Sequence, residues 1–471
     1  MTGPATSSPR ASAGRSILLL GAALGLASAA LPWVNFRANR LVLGEGVSLL
    51  KAAGWAWALP LAWAALGALS CWAQGRAAEY ARTALYVLLC IGVSLLLGLA
   101  GFNLAGADLA GAGPLARVSP AGGFWLNILA LYVAGFGLSQ GRSAAGRWAG
   151  LLGALGFAAV PLLGWWRHLG VAQEYANVAT AFWPQLLLHL ALSLTALGLA
   201  LVLGLPLGFA AARSPRLSGA VLGTAGFFQT IPSAALFGLA LPVFAALGRG
   251  VSLGAYLGAA GGALVLGAVL RRWAGERPLG LLGGLLSLLA LQALLLLAAL
   301  VLLGLLDGTG LPPWSLQAPL SAWGIRGIGA TPALLALTIY ALLPIVNNTF
   351  LGLRSVPPAL LDAAEGLGMT PRQVFWQAQW PLALPFIIEG VRSALVLTFG
   401  IATIAPLIGA GGLGFFIQRG VEGNVPDLVL IGALPIVLVA LLLSGAVGWL
   451  GRRLTPAGLR EGVASSPGVH V

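Results

Sequence analysis

Side chains able to do chemistry are scarce in this sequence, and they gather in a few places. Between Arg354 and Leu384, Asp362 and Glu365 stand three residues apart on a stretch that Pro357 and Pro358 can open as a helix and Gly368 can close. Such a stretch makes an acidic face beside an apolar one, which is contact chemistry. Further on, Gly409, Gly411 and Gly414 spell Gly-x-Gly-x-x-Gly, the spacing of a dinucleotide-binding turn. The context is wrong for one, because the glycines follow an apolar run instead of a strand and no βαβ pattern surrounds them. Together with Gly412 they allow either close helix contact or a backbone break beside a water-filled path, and both readings stay open. Glu389 and Arg392, three apart, can pair on one helix face.

Several chemistries are excluded. A phosphate-binding P-loop needs a lysine after its glycines, and the one lysine, Lys51, precedes Ala52 and Ala53, so the chain cannot hydrolyse ATP by that route. His168, His189 and His470 are too far apart for an i, i+4 zinc pair, no Cys-x-x-Cys occurs, and Cys71 and Cys90 lie in apolar runs as packed thiols. No metal or other cofactor is expected on this chain.

The elements that must position these residues are membrane elements. The 471 residues are 59% hydrophobic and 8% charged, with a mean hydropathy of +0.95, whereas soluble domains carry about 25% charged residues. The net charge of +13 comes from arginines scattered between apolar runs, so nucleic acid is not a partner. A crossing takes about twenty apolar helical residues. Twelve such runs are present, at about Ser16 to Asn35, Trp55 to Gln74, Thr83 to Gly101, Gly123 to Gln140, Trp148 to Trp165, Gln185 to Ala211, Leu217 to Ala246, Leu253 to Leu270, Leu281 to Leu306, Ala333 to Leu353, Pro385 to Ile408 and Leu428 to Leu450. The first is a crossing and not a cleavable signal, being full length and followed by eleven like it.

Cytoplasmic loops collect basic residues. With the N-terminus inside, sixteen fall inside, among them Arg10, Arg15, Arg76, Arg82, Arg142, Arg147, Arg213, Arg216, Arg354, Arg372 and Arg460, against eight outside, including Arg37, Arg40, Lys51, Arg117 and Arg419. Both termini are therefore expected in the cytoplasm. The loops suggest an organisation of a five-helix membrane region at 1–165, an external joint at 166–184, a second membrane region at 185–451 and a cytoplasmic tail at 452–471. Residues of about 249–325 form an inserted hairpin within the third part.

The long loop at 354–384 needs a reason. The pattern predicts a short helix over Ala359 to Leu367 with Leu360, Leu361, Ala364 and Leu367 on one side and Asp362 and Glu365 on the other, then a left-handed Gly368. Thr370, Pro371 and Gln373 supply an N-cap, an N1 proline and a capping-box partner for a second short helix carrying Val374, Phe375 and Ala378, and Pro381 and Pro385 return the chain to the membrane. Such a loop either inserts into a groove on a cytoplasmic protein or lies on lipid headgroups.

Pro206, Pro232, Pro344 and Pro406 interrupt later runs, so kinks are expected there. Gln229, Thr230, Ser233, Tyr340, Asn347 and Asn348 are the uncharged polar groups near these breaks, able to line a route or to bond between helices. Sixteen Trp suit interfacial belts, as Trp33, Trp55, Trp165, Trp166 and Trp183 do at run ends, or a cation–π site. The middles of the runs are nearly free of ionisable groups, which favours energy supplied by a partner over an ion-coupled carrier.

The string Asp362-Ala363-Ala364-Glu365-Gly366-Leu367-Gly368, followed by Leu382-Ala383-Leu384-Pro385, resembles the Glu-Ala-Ala…Gly…Leu-Pro loop of ABC-importer permeases, with Asp362 in place of Glu. In that family the loop docks on the ATPase subunit. Leu205-Pro206-Leu207-Gly208, Gln229-Thr230-Ile231-Pro232-Ser233, Tyr340-Ala341-Leu342-Leu343-Pro344-Ile345 and Leu407-Ile408-Gly409-Ala410-Gly411-Gly412-Leu413-Gly414 look like permeases of glycine betaine, carnitine and choline importers, from about Leu188 to Leu450. Asn39-Arg40-Leu41-Val42 with Gly44-Glu45-Gly46, Leu115-Ala116-Arg117 with Gly123-Phe124-Trp125, and Glu174-Tyr175-Ala176-Asn177 resemble the longer osmoprotectant-permease subgroup with extra N-terminal crossings. The inserted hairpin departs from it.

The resemblance implies an all-α polytopic membrane protein of about 12 transmembrane helices, with a type I ABC-importer permease core in the C-terminal half. It implies an inner-membrane transport subunit for osmoprotectants without its own ATPase site, partnered by cytoplasmic ATPases that use the ATP, an extracytoplasmic substrate-binding protein, a second permease copy or paralogue, and membrane lipid. Asp362, Ala363, Ala364, Gly368 and Pro385 would couple to the ATPase. Gln229, Thr230, Pro232, Ser233, Tyr340, Asn347, Gly409, Gly411 and Gly412 are candidates for a pathway or gate. An ion-coupled secondary transporter, or an ABC permease for another small solute such as methionine or taurine, is the alternative.

Overall fold

Backbone that must satisfy its own hydrogen bonds in lipid becomes helix, and most of the length of the apolar runs does so in the computed structural model. The structure describes residues 9–39, 42–106, 115–141, 143–275, 277–306 and 314–455. Arg40, Leu41, Arg142, Arg460, His470 and the tail beyond Thr455 lie outside the described residues, as do the side chains of Arg10 and Arg216. Among the described residues, eleven helices are long and apolar enough to cross a membrane, and Ala58–Trp72 is a shorter apolar helix. The chain divides into two units, one of Met1–Ala179 with Gly423–Leu428 and one of Thr180–Glu422 with Val429–Val471.

The first unit contains α1 (Pro9–Ala27), β1 (Val34–Arg37), β2 (Glu45–Val47), α2 (Leu49–Ala52), α3 (Ala58–Trp72), α4 (Arg76–Gly101), β3 (Arg117–Pro120), α5 (Gly122–Ser139) and α6 (Ala144–Leu162). Its strands form a small antiparallel sheet in the order β2-β1-β3, with Val34 opposite both Val47 and Pro120. The sequence suggested only polar joints here. Strands of three or four residues are set by their cross-strand partners and leave little local signal. Trp33, expected at an interfacial belt, is wholly buried instead and meets Phe124 edge-on at 5.7 Å. The pairing of β1 carries it inward. Trp63 of α3 fills the space that a side chain at Gly25 of α1 would take.

Helix α7 runs over Gly170–Arg213, with Pro184 and Pro206 inside it. The expected joint at 166–184 is therefore helical from Gly170 onward, because nothing in it before Pro184 stops a helix. The second unit continues with α8 (Pro215–Thr230), α9 (Ser233–Gly250), α10 (Leu253–Ala274), α11 (Pro278–Leu306), α12 (Ala330–Arg354), α13 (Pro358–Gly366), α14 (Pro371–Gln373), α15 (Trp380–Ile401), α16 (Gly414–Glu422) and α17 (Pro426–Leu454). The single run expected over Leu217 to Ala246 is broken at Ile231, whose ψ of 126° is the extended conformation that a following proline imposes. The hairpin is α10 against α11, closely packed where Gly267 meets Gly283 and Ser287. A buried core joins Leu192 of α7, Phe237 of α9 and Leu337 of α12, and a second joins Leu197, Ile345 of α12 and Phe399 of α15.

Candidate functional site

Two groups of candidate residues lie in the second unit. The first is the loop after α12. Pro358 occupies the first turn of α13, where its missing N–H costs nothing. The helix ends in a complete Schellman motif: Met369 N–H donates to Ala364 O at 3.2 Å, and Gly368 N–H donates to Glu365 O at 2.9 Å. Gly368 makes this possible with a φ of +81°, which a side chain would oppose. Ala364 is buried and Leu361 half-buried, as the amphipathic pattern requires, while Asp362, Ala363 and Glu365 face outward. Leu360 is exposed, and Leu367 breaks that pattern further. Assigned to the apolar side by its spacing, it sits at the C-cap and is 84% exposed.

Thr370 and Gln373 form the expected capping box, Gln373 Oε1 accepting from Thr370 N–H at 2.8 Å and Thr370 Oγ1 accepting from Gln373 N–H at 3.4 Å. The second short helix is not separate, however. It passes through a π-helical turn, Val374–Gln379, directly into α15, because no glycine or extended residue follows Gln379. Pro381 therefore lies in the first turn of α15 and Pro385 inside it. The turn keys the loop to the membrane helices. Phe375 packs edge-on against Phe209 of α7 at 4.7 Å, and Gln379 Nε2 donates to Leu353 O of α12 at 3.3 Å. Leu353, Ala383 and Ile387 are the buried centre of this contact, and α13 lies against the same turn.

The second group surrounds the break between α8 and α9. Pro344 has no N–H, which leaves Tyr340 O of α12 without its intrahelical donor; Gln229 Nε2 of α8 fills that position at 3.1 Å. Tyr340 returns the favour across the same gap, its hydroxyl donating to Ile231 O immediately before Pro232. Thr230 is satisfied within its own helix, donating to Phe227 O at 2.7 Å, and Asn348 Nδ2 donates to Pro344 O at 2.8 Å. Ser233 opens α9 and is half-buried, and Asn347 is half-buried on α12. From Tyr340 to Arg354 is about 21 Å along α12 at 1.5 Å per residue, so the coupling loop and this break belong to different levels of one helix.

The glycine string forms a third feature. After a 3₁₀ turn at Ala402–Ile408, Gly409, Gly411 and Gly412 all take positive φ. Gly411 and Gly412 lie so close to α7 that added side chains would meet Leu188 and His189, and Gly412 N–H donates to Gln185 Oε1 at 2.6 Å. Close approach thus accounts for these two. Sequence reasoning missed Gln185 and His189, which carry no local signal inside an apolar run; His189 is buried edge-on to Phe399 at 5.6 Å. Glu389 and Arg392 pair at 3.5 Å, and Arg392 Nε also donates to Ser444 Oγ of α17 at 2.7 Å.

Comparison with known proteins agrees with this architecture. Residues 204–456 match the family described as the binding-protein-dependent transport system inner membrane component, and residues 14–172 match the N-terminal domain of the ABC transporter permease YehY. The chain is 33% identical to the osmoprotectant import permease protein OsmW of Salmonella typhimurium over 276 residues, 58% of this chain and 91% of that protein. It is 45% identical to the carnitine transport permease protein OpuCB of Listeria monocytogenes over 135 residues, 29% of this chain and 62% of that protein. A solved inward-facing MetNI methionine ABC transporter aligns at a TM-score of 0.37 and 18% identity, over 57% of this chain and 94% of that one. With more than half its length matched by one family and a relative covered almost whole, the chain belongs to the inner-membrane components of binding-protein-dependent transport systems, the permeases of ABC importers.

Proposed function

We propose that this permease moves compatible solutes such as glycine betaine, carnitine or choline inward, driven by a cytoplasmic ATPase that docks on Asp362 to Gly368. The relatives named above import an osmoprotectant and carnitine, which supports the substrate class. One observation carries the coupling role. Leu367 stands exposed at the C-cap of α13, whose outward residues include Asp362 and Glu365, while the turn the helix rests on is locked to α7 through Phe375 and to α12 through Gln379. A short helix that exposes both an apolar residue and carboxylates suits a groove with an apolar floor and basic rim, and a push there reaches two membrane helices at once.

In this reading, ATP binding closes the ATPase subunits, α13 follows, and the foot of α7, α12 and α15 moves with it. The break at Ile231–Pro232, spanned by Gln229 and Tyr340, and the glycine turn at Gly409–Gly412 are where helices change relation. The chain binds no cofactor and performs no catalysis; ATP is used by the partner. Both termini are cytoplasmic, in line with the two-to-one bias of basic residues. An extracytoplasmic binding protein delivers the solute, and two permease copies or paralogues form the path, since one loop serves one ATPase. Residues 1–165 form a separate membrane region in lipid.

Reconstitution tests this. Proteoliposomes holding the permease, its ATPase and its binding protein are expected to accumulate labelled glycine betaine only with ATP. Uptake by the permease alone under an ion gradient would replace the reading with a secondary carrier, and ATP-driven uptake that ignores all three solutes would overturn the substrate.

A further inference from the structure

The first unit holds a polar cavity that the transport reading does not use. Its volume is about 80 Å³, and it lies among the early turns of α1, α4 and α6 and the last turn of α5. Arg82 of α4 lines it while only 5% exposed; its Nε donates to Ala78 O at 3.1 Å, and among the described residues nothing else hydrogen-bonds or ion-pairs with the guanidinium. Arg15 of α1 lines it as well. Glu79 is one turn back from Arg82 on the same helix face, and its Oε2 is buried with no hydrogen-bond partner. Gly141 leaves room beside this carboxylate, since a side chain there would begin 3.7 Å from Glu79 Oε1.

Two guanidiniums call for an anion with several acceptor oxygens, and phosphate fits them best. The unmatched carboxylate oxygen calls for a donor carrying positive charge. A quaternary ammonium cannot meet that demand, because it has no N–H and is held by aromatic faces, and among the described residues no aromatic one lines the cavity. The transported solutes therefore fit poorly. A primary ammonium a few bonds from a phosphate fits both halves.

We propose that this cavity binds a phosphoethanolamine group, its phosphate on Arg82 and Arg15 and its ammonium on Glu79, supplied by a membrane phospholipid or by a soluble phosphoethanolamine ester. Leu19 and Leu20 of α1 and Phe136 of α5, all exposed, give acyl chains an apolar surface close to the cavity in sequence.

The test uses the purified full-length protein in mild detergent, with native mass spectrometry after addition of phosphatidylethanolamine, phosphatidylcholine or phosphatidylglycerol of equal chain length. Phosphatidylethanolamine is expected to be retained about tenfold better than the other two, as charge-assisted hydrogen bonds would provide. Arg15→Gln should weaken its retention, and Glu79→Gln should erase the preference over phosphatidylcholine. Both residues are only half-buried, so these variants keep the test open even where Arg82→Gln fails to fold. Displacement of the lipid by millimolar phosphoethanolamine supports the proposal with a soluble source, and resistance to it supports a lipid source. Equal retention of the three lipids, or a preference that survives Glu79→Gln, overturns the proposal.

Discussion

The two units hold their interiors together in different ways. In the first, buried polar side chains brace segments far apart in sequence. Trp63 Nε1 donates to Asn127 Oδ1 at 2.8 Å, and Asn127 Nδ2 donates to Ser28 Oγ and to Gly123 O. Ser94 Oγ donates to Phe157 O at 2.9 Å, Arg117 pairs with Glu174 at 3.2 Å, and Ser119 Oγ donates to Asp427 Oδ2 at 2.5 Å. In the second unit, apolar packing dominates, and prolines lie inside several helices, at Pro242, Pro344, Pro385 and Pro435, against Pro161 of α6 in the first. Its long-range polar bonds include three at the helix breaks, from Gln229, from Tyr340 and to Gln185, and single bonds between neighbouring helices, such as Thr338 Oγ1 to Ala196 O and Arg392 Nε to Ser444 Oγ. Apolar contacts are non-directional and can re-form after a small slide, whereas a network of directional bonds has one geometry. On this argument the first unit is expected to keep its shape and the second to change it.

The largest effect should come from breaking the moving unit at its handle. Gly368→Pro removes the N–H that donates to Glu365 O and demands a φ near −65° where the chain has +81°. The loop is exposed, so membrane level and thermal midpoint should hold, while ATP-driven uptake falls about tenfold or more, as misplacement of a coupling contact by an ångström can produce. Asp362→Arg should act in the same direction by reversing the charge of the docking face. Uptake assays normalised to membrane content check both, and unchanged uptake in either would remove this loop from coupling.

The contrast between the units was only partly legible in the sequence. Crossings were legible because lipid forces every long apolar run into helix, and the loop was legible because Pro358, Gly368, Thr370 and Gln373 act on their own neighbours. Features set by distant partners were not. The strands β1 to β3 exist through cross-strand pairing, Trp33 is buried by that pairing, and α14 continues into α15 because the π-helical turn keeps the chain helical after Gln373. Gln185 and His189 matter only because the glycine turn lands on them. The donation from Gln229 to Tyr340 O lies between: Pro344 announces the orphaned carbonyl, but only the fold shows which side chain fills it.

Breaking the rigid unit should separate stability from transport. Asn127→Leu strands Trp63 Nε1 in a buried setting, while Ser28 Oγ keeps its donation to Gly25 O, at a cost of about 1–3 kcal/mol. The thermal midpoint in detergent should drop by a few degrees, read by scanning fluorimetry, while uptake per folded molecule stays unchanged. A loss of uptake out of proportion to folded protein would mean that the braces of the first unit take part in the transport cycle.

The smallest and most discriminating change is Gln229→Leu. It removes the donor that compensates for Pro344 and leaves Tyr340 O to whatever the bent helix can offer. Hydrogen bonds between membrane helices contribute about 0.6 kcal/mol on average, so the thermal midpoint should move by less than for Asn127→Leu. The same bond holds α8 to α12 at a break, and its loss should alter the balance between conformations, lowering uptake by about two- to threefold, the factor that 0.6 kcal/mol of differential stabilisation supplies. Tyr340→Phe should reproduce it, because its hydroxyl spans the same gap from the other side, to Ile231 O. A midpoint loss as large as that of Asn127→Leu, with uptake per folded molecule intact, would make Gln229 a brace of the first unit's kind. The distinction between a unit that holds its shape and one that changes it would then fail at the place where it is drawn most sharply.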